Sequence, residues 1–139
     1  MVAFEIKQVL ERVNLLSTMS ELDPSEFAEE NGLADSLAQK FKKDELKPTQ
    51  LRKIFHALKQ IERGIKIENP EDKLDRTQIM KLLPELAYAS GRGLIPKDFY
   101  DLMKTCLSSQ KLKTNSDFMR LMDFLTAILA YHKMRRSKQ

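Results

Sequence analysis

Apolar residues recur at helical spacing in segment after segment of this chain, and no segment alternates apolar and polar residues as a half-buried β-strand does. The run from Phe118 to His132 is apolar most of the way round, which indicates a central helix or one that buries a second face against another subunit. The spacing predicts helices over 3–16, 33–41, 49–63 and 75–90, another from Pro96 onward, and a last one after Asn115. The chain is therefore predicted to be all-α, a compact bundle of five to six helices in a single domain over 1–139.

Composition supports one helical domain in a reducing compartment. The 139 residues suffice for a single core, and 32% charged residues with only four glycines favour helices over a β-sandwich. The single cysteine, Cys106, excludes an internal disulfide. The first residues do not resemble a signal peptide, and the apolar run over 124–131 is far shorter than the roughly 20 residues of a membrane span. We expect a soluble, cytoplasmic protein.

Proline and glycine mark the breaks between the predicted helices. The acidic segment 17–31 contains Asp23-Pro24 and is expected to be a loop or mobile linker, and 65–74 is a second loop. Pro84 lies inside a predicted helix, where a straight helix would lose about 3 kcal/mol, so a kink or break is expected near 80–83. Gly91 is expected to end that helix in the left-handed conformation and to present Arg92 immediately after it.

Charge is distributed unevenly along the sequence. Residues 1–46 hold ten acidic and five basic residues, so their net charge is −5, whereas the remainder carries +9. This polarity favours a polyanionic partner for the later helices and a solvated or protein-facing first third.

Three groups of basic residues are the candidate anion-binding sites. On the helix predicted over 49–63, Arg52, His56, Lys59 and Arg63 form a stripe away from the apolar face, with Lys53 beside it and Glu62 as the only acid. The other groups are Arg92 with Lys97, and a basic C-terminal tail over 133–139 that includes Lys133, Arg135 and Arg136. Because few aromatic residues are interleaved with them, they suggest contact with backbone phosphates more than base stacking or sequence readout.

No constellation of residues points to catalysis, a metal or a cofactor. Cys106 lies on an apolar stripe, and His56 and His132 are on different helices without a local motif, so structural roles are favoured for all three. One cysteine and two separated histidines cannot supply a zinc site, and Gly91-Arg92-Gly93 lacks the features of a P-loop. We expect no enzyme activity. A small nuclease using His56 or His132, and a helical protein–protein adaptor, remain as alternatives.

Three segments, in this order, resemble a known family. They are TQLRKI at 49–54, LLPELAYASGR at 82–92, and ILAYHK at 128–133 preceded by Phe124. Together they are similar to the small helical subunit of the type III-A CRISPR–Cas effector, the Csm complex, and the similarity covers roughly 45–134.

The resemblance implies a non-catalytic subunit that stacks in several copies along a filament-like ribonucleoprotein. Its implied partners are crRNA and target RNA, other copies of itself, and the backbone and large subunits, with neither a membrane nor DNA as primary ligand.

The motif-matching positions expected to face RNA backbone are Arg52, Lys53, Arg92 and Lys133. Four further candidates come from charge alone: Lys59, Arg63, Arg135 and Arg136. Tyr88 and Tyr131 also match, and packing is favoured over base stacking for both. The alternative is an adaptor or homo-oligomer that does not bind RNA.

Overall fold

The protein folds as an all-α bundle in a computed structural model that describes residues 2–41, 45–66 and 68–137. This confirms the predicted fold class. Six α-helices span these residues: α1 (Ile6–Leu15), α2 (Leu33–Lys40), α3 (Pro48–Arg63), α4 (Thr77–Gly91), α5 (Lys97–Cys106) and α6 (Asn115–Ser137). Among them, no helix is long and apolar enough to cross a membrane.

Helix α6 is the centre of the bundle, as its apolar circumference predicted. It packs chiefly against α2 and α3, while α1 packs against α2 and α5, and α4 packs against α3 and α5. Phe118, Leu121, Leu125 and Ile128 of α6 are buried. Burying a large apolar side chain contributes about 1.5–3 kcal/mol, so this helix organises the core.

The acidic segment 17–31 contains no α-helix but is anchored to the core. It forms two short 3₁₀ turns, Met19–Glu21 and Pro24–Glu26. Met19, Leu22 and Phe27 are buried, and the Phe27 ring lies 5.3 Å from that of Phe124 on α6. These side chains tie the segment to the central helix.

Helix α4 passes through Pro84 without the predicted break. The amide that Pro84 lacks would have bonded the carbonyl of Met80. Both residues are exposed, so water can reach that carbonyl and the helix tolerates the proline. The predicted break near 80–83 is therefore wrong, while the kink predicted as its alternative stays a prediction.

The glycine that ends α4 is Gly93, not Gly91 as expected. Gly91 is the last helical residue, whereas Gly93 adopts the left-handed region with a φ of 73°. Its amide donates to the carbonyl of Ser90 at 3.0 Å, and the amide of Leu94 donates to that of Ala89 at 2.9 Å. This pair of hydrogen bonds is a Schellman motif, which satisfies carbonyls at the helix end and fixes the chain direction beyond it.

Candidate nucleic-acid interface

Helix α3 presents most of its predicted basic stripe to solvent. Arg52, Lys53 and Arg63 are exposed, and the opposite face is buried through Leu51, Ile54 and Leu58. Lys59 is more constrained. Its Nζ lies 2.8 Å from Glu62 Oε1 and 5.8 Å from the centre of the Phe55 ring. The positive charge that the stripe exposes to solvent therefore comes mainly from Arg52, Lys53 and Arg63.

A groove between α3 and α4 brings together two candidates that are distant in sequence. Its volume is about 490 Å³, and both Lys53 and Arg92 line it. Most of its lining is apolar, and the polar residues Gln50 and Glu85 also line it. The complete lining is Gln50, Lys53, Ile54, Ala57, Leu82, Pro84, Glu85, Leu86, Tyr88, Ala89, Arg92 and Leu94.

The end of α4 displays an aromatic ring beside a guanidinium. Tyr88 is 66% exposed, and Arg92 Cζ lies 5.7 Å from the centre of its ring. The packing role favoured for Tyr88 is therefore not seen within this chain. Tyr131, in contrast, is half-buried, and its hydroxyl donates to the carbonyl of Ala28 at 2.7 Å. Packing is the right role for Tyr131 alone.

The basic C-terminal run is helical up to Ser137, while 138–139 lie outside the described residues. Lys133 is exposed and Arg136 is half-buried. His132 is buried and hydrogen-bonds the backbone of Phe41 and Leu46, which places this end of α6 beside the segment that leads into α3. Burial, with a smaller contribution from the charge of Arg136, lowers the pKa of His132.

Arg135 forms an ion pair with the buried carboxylate of Asp35. Its Nε donates to Asp35 Oδ1 at 2.9 Å and its Nη2 to Oδ2 at 2.6 Å. Burial alone would raise the pKa of Asp35, but hydrogen bonds from Arg135, the Asn31 amide and Gln39 outweigh it and hold the pKa below its usual value. The sequence could not show this pairing, because the two residues are 100 positions apart.

The three residues considered for catalysis do not converge. Cys106 is buried, and desolvation raises the pKa of its thiol to about 12, so it is protonated at neutral pH. His132 is buried against backbone, and His56 is exposed with its ring 6.2 Å from that of Phe55. In the described part of the chain, no three His, Cys, Asp or Glu residues cluster so as to hold a metal ion.

A second groove lies on the acidic side of the molecule, between α1 and the segment before α2. Its volume is about 530 Å³, and Glu11, Glu29 and Glu30 line it together with the exposed Leu15. Glu26 also lines it but is paired with Arg12, whose Nε lies 2.6 Å from Glu26 Oε1. The sequence indicated an acidic first third but could not indicate that these carboxylates share a groove.

Comparison with known proteins identifies one family. The sequence model described as Csm2, Type III-A, matches residues 25–138 of this chain. The match includes α2 to α6 and therefore both Tyr88 and Tyr131. No curated protein and no solved structure gives a significant match.

Proposed function

This chain belongs to the Csm2 family of type III-A CRISPR small subunits, and from that membership we propose that it is a non-catalytic subunit that contacts RNA phosphates through the α3–α4 face. The observation that carries the proposal is the convergence of Lys53 and Arg92 on one groove. Arg52 extends the positive surface along α3. Other subunits of the cytoplasmic complex would carry out RNA cleavage.

Contact through this face would be independent of RNA sequence. Lysine and arginine side chains bond phosphate oxygens, which are the same at every nucleotide, and such contacts position a strand without reading its bases. The planar guanidinium of Arg92 can bond two phosphate oxygens at once, whereas Lys53 acts as a point charge. Both side chains are exposed, so neither has to be desolvated from a packed core before it binds.

The remaining predicted contacts differ in their exposure to solvent. Arg63 and Lys133 are exposed, so both stay in the proposed interface. Lys59 and Arg136 are more covered, and we assign them a secondary contribution through the local potential. We leave Arg135 out of the interface, because binding RNA would require it to abandon the buried Asp35 carboxylate.

The charge polarity also supports assembly of several copies. The acidic groove beside α1 carries the carboxylates of Glu11, Glu29 and Glu30 and shares no residue with the α3–α4 groove, so a basic surface of a second copy could bind there without displacing RNA. Contact between two different faces of identical subunits is head-to-tail and can extend into a filament. An adaptor that uses these faces for protein contact alone is the alternative function.

Photocrosslinking in the assembled complex tests the RNA contact. The tagged chain is isolated from its native cell with its partner subunits and RNA, irradiated at a wavelength absorbed by the bases, and digested for mass spectrometry. We expect nucleotide-bearing peptides from 48–63 and 77–97. Crosslinks confined to α1 or α5 would contradict the proposed face.

A matched pair of variants makes the test specific. Lys53→Gln with Arg92→Gln removes two positive charges from the groove, whereas Lys7→Gln with Lys104→Gln removes two from exposed positions on α1 and α5. The first variant should lose the crosslinks while remaining in the complex, and the second should retain them. Equal crosslinking in both variants would show that the groove cations do not hold RNA.

A further inference from the structure

We infer that the α3–α4 groove binds one unpaired base of a single-stranded RNA, stacked on Tyr88, with Lys53 and Arg92 on the adjoining phosphates. This inference rests on the proposed RNA contact and extends it from the backbone to the bases. Backbone contact alone needs positive charge but needs neither an aromatic ring nor an apolar groove.

The exposure of Tyr88 is the first observation. At 66% exposure its ring lies mostly in solvent, although Tyr88 is on a helix whose apolar face is buried through Ile79, Leu82 and Leu86. Packing therefore does not account for an aromatic residue at this position. An exposed ring on which a base can stack is a common element of single-strand binding sites, because every base has a flat π-face.

The chemistry of the groove matches a base better than it matches phosphate alone. Its lining includes the apolar side chains of Ile54, Leu82 and Leu94, which would contact the flat face of a base. Gln50 and Glu85 provide an amide and a carboxylate that can hydrogen-bond its edge. A volume of about 490 Å³ is within the usual range for small-molecule sites and leaves room for a ribose beside the base.

The backbone that carries the aromatic ring is fixed by the end of α4. The Arg92 amide donates to the Tyr88 carbonyl at 3.0 Å, and the guanidinium of Arg92 lies 5.7 Å from the Tyr88 ring. The Schellman motif at Gly93 directs Leu94 back along the end of α4, and Leu94 lines the same groove. A preformed site loses less conformational freedom on binding than a flexible one.

The site should select unpaired over paired nucleotides. A base within an A-form duplex is stacked on both faces, and its edges lie in a deep, narrow major groove that side chains do not enter, or in a shallow minor groove. Only a base that has left the stack can place a face on Tyr88. Tyr88 would therefore engage single-stranded segments or nucleotides extruded from a duplex.

Fluorescence anisotropy with two oligonucleotides separates base contact from phosphate contact. The probes are a labelled oligouridylate of about twelve nucleotides and an abasic oligomer of equal length, which carries the same phosphates. The full chain is compared with Tyr88→Leu, which keeps an apolar side chain, and with Tyr88→Phe, which keeps the ring. Far-UV circular dichroism and thermal unfolding confirm that the exposed position tolerates both changes.

We expect Tyr88→Leu to weaken binding of the oligouridylate by roughly 5- to 150-fold and to leave binding of the abasic oligomer unchanged. Tyr88→Phe should stay within about twofold of the wild type. Equal losses on both probes, or no loss on either, would overturn base stacking. A loss of partner-subunit binding without a loss of RNA affinity would also overturn it and would assign the groove to a protein segment.

The same probes distinguish the failure of this inference from the failure of the proposed function. If the wild-type chain binds both oligomers equally and the Lys53→Gln, Arg92→Gln variant weakens both, phosphate contact stands and base stacking falls. If that double variant leaves affinity for both probes unchanged, the α3–α4 face does not contact RNA, and both proposals are wrong. Failure of the wild-type chain to bind either oligomer at low salt would likewise overturn both.

Discussion

Replacing Arg135 with glutamine is expected to act mainly on the stability of the fold and not on RNA binding. The Asp35 side chain is 0% exposed and receives two hydrogen bonds from Arg135, at 2.9 and 2.6 Å. Glutamine is shorter and uncharged, so it cannot replace this bidentate pair. The variant would leave a carboxylate buried without its counter-charge.

The cost can be estimated from the burial of the two partners. Breaking a fully buried ion pair by removing one partner costs about 3–5 kcal/mol. Here the Arg135 side chain is 30% exposed, and Asp35 keeps hydrogen bonds from the Asn31 amide and Gln39. We therefore expect a loss of about 2–3 kcal/mol. With an unfolding entropy of about 2.1 cal/mol/K per residue, this corresponds to a fall in Tm of roughly 7–10 °C.

Urea unfolding followed by far-UV circular dichroism measures the change, and Arg136→Gln is the matched control one position along α6. The control should stay within about 0.5 kcal/mol of the wild type, because the half-buried Arg136 is not the partner of the Asp35 carboxylate. Asp35→Asn and the double variant complete a cycle, in which the two single costs should not add. An Arg135→Gln variant as stable as the control, or costs that add within error, would refute the buried clamp.

Three further outcomes follow from the structure. Gly93→Ala should destabilise the chain by about 1–2 kcal/mol, because an L-residue is strained at a φ of 73°. Gly91→Ala should be neutral or stabilising by up to about 1 kcal/mol, because its added Cβ meets nothing within 4 Å. Thermal unfolding of the two variants side by side checks both. Equal effects on Tm would contradict the assignment of Gly93 as the glycine that ends α4. Because burial lowers the pKa of His132, the unfolded chain takes up the proton first as pH falls below the ordinary value of 6.5. Stability should therefore decline from there to the lower folded pKa, and His132→Gln should flatten this part of a pH–stability profile. Cys106, buried with a pKa of about 12, should react with a thiol reagent only as the chain unfolds, so labelling at the same rate in native buffer and in denaturant would exclude its burial.

Helical spacing in the sequence was enough to predict most of the fold. The helix predicted over 49–63 is confirmed as α3, Pro48–Arg63. Its apolar stripe forms the face that the bundle buries. The central place of α6 followed from its apolar circumference. In both cases the residues that decide the structure are neighbours along one helix, so local periodicity contains the information.

Contacts between distant segments could not be predicted in this way. The Asp35–Arg135 pair joins α2 to α6, and Lys111 is buried with its ammonium donating to the carbonyls of Asn14 and Leu16. Neither pairing leaves a local pattern, because charged residues are equally acceptable on an exposed face. For Tyr88 a local pattern exists, but it is misleading. It lies within a motif that suggests packing, and its exposure depends on how α4 packs against α3 and α5.

The salt dependence of RNA affinity, compared between wild type and the Lys53→Gln, Arg92→Gln variant, tests the central claim most directly. For single-stranded RNA, log K falls with log salt concentration by about 0.7 per phosphate contact, so losing two contacts should make the slope shallower by about 1.4. The change should be the same for two RNAs of unrelated sequence, and the Lys7→Gln, Lys104→Gln control should keep the wild-type slope. A double variant with an unchanged slope would show that the α3–α4 face does not hold phosphates.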